Sequence, residues 1–116
     1  MLKKLTDKIL SDLDAKTDYY GKIDKTIWQN PELGCLEENS SQLLQETLQR
    51  EGFSIKSGAA DILTAFVAEY GSGTPMIAIL TEFDALLGIS QKAIPQREAI
   101  IDGGCKSLKT YHNRYF

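Results

Sequence analysis

Two acidic side chains follow the most apolar stretch of this sequence. Residues 77–80 read Ile-Ala-Ile-Leu, and Glu82 and Asp84 come within the next four positions. If residues 77–84 form one strand, both carboxylates point to the same side of it, because side chains alternate along a strand. The ends of buried strands border the ligand crevice of open α/β sheets. A carboxylate pair there could hold a cation, orient a water molecule or act as a general base.

The same pair also has a purely structural interpretation. Charged side chains collect at strand ends without any catalytic role, where they stay solvated beside the following loop. The spacing of Glu82 and Asp84 alone favours this structural interpretation. The catalytic interpretation therefore needs support from other parts of the sequence.

Three further residues have side chains that can ligate metals or act as nucleophiles. His112 is the single histidine, whereas a catalytic zinc site usually takes three protein ligands, so we expect an exposed tail residue. Cys105 follows two glycines, and its distance from His112 is not typical of a metal site. Cys35 precedes an apolar helix, and we expect it to pack as a small hydrophobic side chain.

Helical periodicity dominates the first half of the chain. Steps of three and four residues predict a long amphipathic helix that ends by Asn30 and has Lys16 on its apolar face, either continuous or divided into two helices at Gly21. A second helix is predicted over residues 37–51, before Gly52. The apolar positions of the first helix are Leu2, Leu5, Ile9, Leu13, Tyr20, Ile23 and Ile27.

Three strands are predicted after the helices, at residues 53–57, 62–70 and 75–81. The third is almost entirely apolar, which is typical of a strand buried on both faces. The short loop 71–74 predicts an antiparallel hairpin between the second and third strands. The predicted fold is α/β, with two N-terminal helices followed by a three-stranded part of a mixed sheet.

Length, charge and cysteine content narrow the function classes. The 116 residues suit one domain or part of one, and 13 basic against 16 acidic residues give a net charge of −3. Binding to the phosphates of a nucleic acid needs clustered Lys and Arg, so this charge balance argues against a nucleic-acid partner. No apolar run is long enough to span a bilayer. The two cysteines form no CxxC pair, so we expect a cytoplasmic location.

Several sequence blocks follow one another at consistent spacing. They are Ile27-Trp28-Gln29-Asn30-Pro31-Glu32-Leu33-Gly34, Glu37-Glu38 with Ser41, Leu44 and Leu48, Gly52-Phe53, Thr64-Ala65-Phe66-Val67-Ala68-Glu69-Tyr70-Gly71, Ile77-Ala78-Ile79-Leu80-Thr81-Glu82-Phe83-Asp84-Ala85-Leu86 and Gly88-Ile89-Ser90-Gln91. Together they resemble the start of M20-type metallopeptidases and amidohydrolases, and most of all the aminobenzoyl-glutamate-hydrolase-like branch, over roughly residues 5–91.

The resemblance implies a two-metal hydrolase that cleaves amide bonds of small peptides or N-acyl amino acids. It implies an α/β catalytic domain and a divalent metal, zinc or manganese. Asp84 matches the family aspartate that lies beside the metal site and orients the catalytic glutamate. Glu82 falls where other branches place a metal-binding histidine. Both are candidate catalytic residues, whereas no metal ligand is assigned.

The sequence departs from the family after about residue 92. The branch continues into a run containing His-Gly-Cys-Gly-His, but this chain reads Gly103-Gly104-Cys105-Lys106. We therefore expect residues 1–91 to form the N-terminal part of a catalytic domain, residues 92–116 to be a divergent tail, and the chain alone to be inactive and to bind no metal.

Two other hypotheses remain open. The chain could be a non-enzymatic interaction or oligomerisation module that self-associates through exposed apolar surface. It could also be a small stand-alone hydrolase that uses Glu82, Asp84 and His112.

Overall fold

The computed structural model describes residues 1–86, 92 and 94–99. It combines three α-helices with a two-stranded antiparallel sheet, which agrees with the predicted α/β class. The elements are α1 (Leu2–Ala15), α2 (Thr17–Gln29), α3 (Glu38–Arg50), β1 (Ser54–Ser57), a 3-10 turn (Ala59–Asp61) and β2 (Phe66–Glu69). None of the described helices is long and apolar enough to cross a membrane.

The first helical stretch forms two helices, one of the two expected alternatives, but the division lies at Lys16 and the position expected for it, Gly21, is wrong. The Lys16 amide donates to the carbonyl of Leu13 at 3.0 Å, a bond that tightens the last turn of α1. The Lys16 ammonium also donates to Glu51 at 3.0 Å, which ties the junction to the end of α3. Gly21 stays inside α2, since a glycine lowers helix stability without forcing a break.

The side-chain carboxylate of Glu32, which precedes helix α3 in the sequence, caps the N-terminus of that helix. Glu32 accepts hydrogen bonds from the backbone amides of Asn39 and Ser40 at 3.0 and 2.8 Å. It also accepts from the Asn39 side-chain amide at 2.8 Å and the Ser40 hydroxyl at 2.7 Å. The first amides of a helix lack intrahelical partners and favour negative charge, so Glu32 stabilises this end of α3.

The sheet pairs β1 with β2 in an antiparallel register that runs from Ser54–Glu69 to Ser57–Phe66. Helix α3 contacts both strands. At one end of the sheet the rings of Phe53 and Tyr70 lie 5.1 Å apart. These two strands correspond to the first two predicted strands, although each is shorter than expected.

The third predicted strand, residues 75–81, and its hairpin with the second are not present in the structure. Strand β2 pairs with β1 instead. The large side chains of residues 76–80 are exposed, Met76, Ile77, Ile79 and Leu80 by 84–92%. A strand buried on both faces needs neighbouring strands and covering layers, and the described part of the chain supplies neither to this segment.

The apolar face predicted for the first helix is also uncovered. Leu5, Ile9 and Leu13 are about half-exposed, and no residue of α1 is buried. The most buried side chains of the described residues are largely polar. They are Glu37, Ser40, Ser41, Thr47 and Thr64, together with Ala85.

Candidate functional site

The segment that carries Glu82 and Asp84 is attached to the residues that precede α3. The Ala85 amide donates to the carbonyl of Glu32 at 2.7 Å, and Leu33 and Ala85 form a parallel bridge. Ala85 is buried there. The ring of Phe83 lies 6.2 Å from that of Phe66 in β2. The chain around Asp84 is thus attached both to the α2–α3 connection and to the sheet.

The two candidate carboxylates lie in different surroundings. Asp84 is half-buried against the α2–α3 connection, whereas Glu82 is exposed. The structure therefore brings Asp84, and not Glu82, into contact with the loop that precedes α3.

Gly34 leaves open a space that two carboxylates face. A Cβ atom on Gly34 would stand 3.6 Å from Oδ2 of Asp84 and 3.9 Å from Oε1 of Glu37. Both oxygens therefore lie within 4 Å of one point above this glycine. The site is an acidic wall built from Asp84 and Glu37.

Sequence reasoning missed Glu37 as a member of this site. Glu37 entered the sequence analysis as the start of the second helix and as part of the Glu37-Glu38 block, but not as a site residue, because periodicity does not show which acid near a helix end is buried. In the structure Glu37 is 7% exposed, and its Oε2 accepts a 2.8 Å hydrogen bond from the Thr64 hydroxyl. The Glu37-Glu38 block of the family resemblance was the one available signal for this residue.

A chain of hydrogen bonds fixes the position of Glu37. The carbonyl of Thr64 accepts from the Ser41 hydroxyl at 2.6 Å, and that hydroxyl accepts from the Gln45 amide at 2.9 Å. Gln45 in turn accepts from the Ser57 hydroxyl of β1. Helix α3, the loop before β2 and strand β1 are thus joined behind the acidic wall.

The donor set that the structure describes does not form a metal centre. Among residues 1–86, 92 and 94–99, no group of three or more His, Cys, Asp or Glu side chains is placed to hold a metal ion. A catalytic zinc usually takes three protein ligands. The wall of Asp84 and Glu37 is therefore at most one side of such a site.

The cysteine and histidine predictions have different outcomes. Cys35 is exposed and has a φ of 65°, so its predicted packing as a small buried hydrophobic residue is wrong. The turn that leads into α3 directs its side chain outward. Cys105 and His112 lie outside the described residues, so the stand-alone hydrolase that uses His112 stays a prediction.

Comparison with known proteins relates the chain to hydrolases. It is 38% identical over 81 residues to a p-aminobenzoyl-glutamate hydrolase subunit of Escherichia coli K12, a match that covers 70% of this chain and 17% of that protein. It is 31% identical over 84 residues to the thermostable carboxypeptidases 2 and 1 of Saccharolobus solfataricus, covering 71% of this chain and 21% of each. No family model matches the chain.

The chain spans about a fifth of the length of these relatives. Their matches agree with the resemblance carried by the blocks around Pro31, Thr64 and Asp84. Over most of its length, this chain is related to the M20-type metallopeptidases and amidohydrolases, the aminobenzoyl-glutamate-hydrolase-like proteins among them.

Proposed function

We propose that the chain provides the N-terminal part of the catalytic domain of a metal-dependent amide hydrolase. Its substrate class would be small peptides or N-acyl amino acids. The names of the relatives support this class, since one is a hydrolase of p-aminobenzoyl-glutamate and two are carboxypeptidases. Residues 1–91 would form the domain part, residues 92–116 a divergent tail, and the location would be cytoplasmic.

The half-buried position of Asp84 is the observation that carries this proposal. A solvated carboxylate at a loop start has no need of fixed surroundings. Here the bridge at Ala85 fixes the backbone next to Asp84, and carboxylate oxygens of Asp84 and Glu37 lie within 4 Å of one point above Gly34. In the proposed role Asp84 borders the hydrolytic centre and orients a catalytic glutamate. Glu82 would line the rim of the same centre.

The divalent metal, zinc or manganese, would need ligands beyond those that the structure describes. A hydrolytic metal site takes several ligands from distant segments of a chain. We therefore propose that these 116 residues alone are inactive and hold no metal tightly.

Metal content and hydrolysis by the purified chain test the inactivity. After incubation with zinc or manganese and removal of excess ion, elemental analysis should find well under one metal per chain. An N-acyl amino acid should not be cleaved above the buffer rate. Near-stoichiometric metal that is lost in Asp84→Ala would contradict the proposal.

A chimera tests the role of Asp84. Residues 1–86 would replace the corresponding N-terminal part of the E. coli relative, and hydrolysis of p-aminobenzoyl-glutamate would be measured. We expect an active chimera in which Asp84→Asn lowers kcat about 10- to 100-fold, the usual effect of losing a group that orients the residues around a metal.

Glu69→Gln is the matched control in the chimera, because Glu69 is exposed and forms a surface ion pair with Lys56. Its rate should equal that of the unsubstituted chimera. Equal rates for Asp84→Asn and Glu69→Gln, or a soluble and metal-loaded chimera without activity, would contradict the proposed role.

A second candidate function is a non-enzymatic interaction module. The exposed residues 76–80 favour it, because contiguous apolar surface of this kind marks association sites. Different measurements test the two functions. Catalysis by the chimera tests the hydrolase function, and the oligomeric state of the chain tests the interaction module.

A further inference from the structure

Glu32 makes more hydrogen bonds than the capping of a helix requires. Its Oε1 accepts from the backbone amide and the side-chain amide of Asn39, at 3.0 and 2.8 Å. Its Oε2 accepts from the backbone amide and the hydroxyl of Ser40, at 2.8 and 2.7 Å. A capping side chain ordinarily accepts from one backbone amide, whereas two donors on each oxygen fill the acceptor sites of an ionised carboxylate. The Glu32 side chain is thereby fixed against the start of α3.

Glu32 takes the place of the residue that usually caps a helix. In the described chain Glu37, which directly precedes α3, makes no side-chain hydrogen bond to the helix end. Its Oε2 accepts from the Thr64 hydroxyl instead. Because the capping carboxylate comes from earlier in the chain, it also fixes the α2–α3 connection, residues 30–37, relative to the helix.

The backbone of the α2–α3 connection holds the segment that carries Asp84. The carbonyl of Glu32 accepts from the Ala85 amide at 2.7 Å, and Leu33 and Ala85 form a parallel bridge. Gly34, the next residue of the connection, faces the carboxylate itself, since a Cβ on it would stand 3.6 Å from Oδ2 of Asp84. The position of the Asp84 carboxylate therefore depends on a connection that Glu32 fixes at its other side.

We propose that Glu32 is a positioning residue for Asp84. This inference rests on the proposed function, in which Asp84 borders the hydrolytic centre. Glu32 acts there through the α2–α3 connection and the Ala85 amide, without touching the substrate. A misplacement of about 1 Å caused by a distant change can lower a rate about 100-fold. The hydrogen bonds of Glu32 therefore serve turnover by holding the Asp84 carboxylate in place.

Hydrogen exchange of the Ala85 amide tests the coupling in the 116-residue chain itself. Measured by NMR at several low urea concentrations, it separates local opening, which exposes little new surface, from global unfolding, which increases with urea. Ser40→Ala removes one donor to the carboxylate without changing Glu32 itself, and local opening at Ala85 should become about 2- to 10-fold more frequent. In Glu32→Gln the increase should reach up to about 30-fold, as for the loss of a helix cap.

Two references keep this measurement specific. The amides that pair β1 with β2 should keep their local opening in both variants. Glu38→Gln removes an exposed charge at the same helix end and should leave Ala85 unchanged. Unchanged opening at Ala85 in both Ser40→Ala and Glu32→Gln, or an equal increase in the sheet, overturns the proposal. An effect in Glu32→Gln alone overturns it too, because the new amide group would then be its cause.

Kinetics of the chimera with the E. coli relative test the catalytic part. Glu32→Gln should lower kcat about 3- to 10-fold and leave KM within about twofold, because it displaces a group that acts in the transition state. In an Asp84→Asn background the same substitution should change kcat by less than about twofold, since both changes then act through one carboxylate. A loss of stability alone would not produce this dependence on Asp84. An unchanged kcat, an effect confined to KM or equal losses in both backgrounds overturns the positioning role.

Failure of this inference is distinguishable from failure of the proposed function. An inactive unsubstituted chimera contradicts the proposed function, whereas exchange at Ala85 is measured in the chain without any catalysis. Unchanged local opening at Ala85 overturns the positioning role of Glu32 even where the chimera is active.

Discussion

At the scale of single residues, Glu32 shows how one carboxylate organises the region around the candidate site. Burial raises the pKa of the Glu32 carboxyl, but the hydrogen bonds from Ser40 and Asn39 lower it more, so the net pKa lies below its ordinary value. The same residue offers its backbone carbonyl to the Ala85 amide. Glu32 therefore links the start of α3 with the segment that carries Asp84.

Replacing this carboxylate should destabilise the chain. Glu32→Gln removes the charge at the helix start and part of the hydrogen bonding to Asn39 and Ser40. We expect a loss of about 0.5–2 kcal/mol in the free energy of unfolding, as for other helix caps. Urea unfolding at pH 7 measures it. The control Glu38→Gln changes charge at the same helix end, and an equal loss there would contradict the capping role.

The effect of Glu32 should also depend on pH, in a direction fixed by its lowered pKa. The stabilisation is present above the unfolded glutamate pKa of about 4.3 and is lost as pH falls through the lower folded pKa. The difference between the wild type and Glu32→Gln should therefore shrink from pH 5 to pH 3. Unfolding curves across that range check it. A difference that grows on acidification would contradict this assignment.

At the scale of elements, sequence periodicity predicted some structures and failed at others for identifiable reasons. The helical periods and the alternation over residues 53–57, which contain β1, are local patterns, so these elements could be predicted directly. The break at Lys16 stands beside its surface ion pair with Glu51, 35 residues away, and no local pattern contains that contact. The segment 75–81 reads as a buried strand, but its conformation depends on neighbours that the described chain does not supply.

The candidate site, like the elements, could be predicted only in part. Asp84 could be predicted because its block resembles a known family and ends an apolar run. The buried state of Glu37 could not, since it depends on contacts with Gly34 and Thr64 from other parts of the chain. Tertiary contacts of this kind are not visible in spacing or composition.

The hydrogen bond between Thr64 and Glu37 gives a test at this scale. Thr64→Val removes the hydroxyl that donates to the buried carboxylate while keeping the shape of the side chain. A buried acceptor that loses its donor costs about 1–3 kcal/mol, so the free energy of unfolding should fall by that amount. Thr26→Val is the control, because the Thr26 hydroxyl only donates to a carbonyl of its own exposed helix. Equal, small losses in both variants would show that the Glu37 contact is not stabilising.

At the scale of the whole molecule, the described residues enclose little apolar core. Ala85 is the one buried hydrophobic residue in the part of the chain that the structure describes. Polar contacts around Glu37 and Glu32 therefore hold much of the described fold together, with little apolar core behind them.

The large apolar side chains that are already exposed in the folded chain predict an unfolding transition with a shallow dependence on denaturant. The denaturant slope m scales with the surface newly exposed on unfolding, and small proteins give about 1–3 kcal/mol/M in urea. Because much apolar surface is already exposed, we expect a slope of about 1 kcal/mol/M or less for the monomer. Urea unfolding followed by circular dichroism measures it, on the Ile77→Asp with Leu80→Asp variant so that association does not contribute. A slope of about 2 kcal/mol/M or more would show a core larger than the described residues provide, and it would contradict the exposure of residues 76–80.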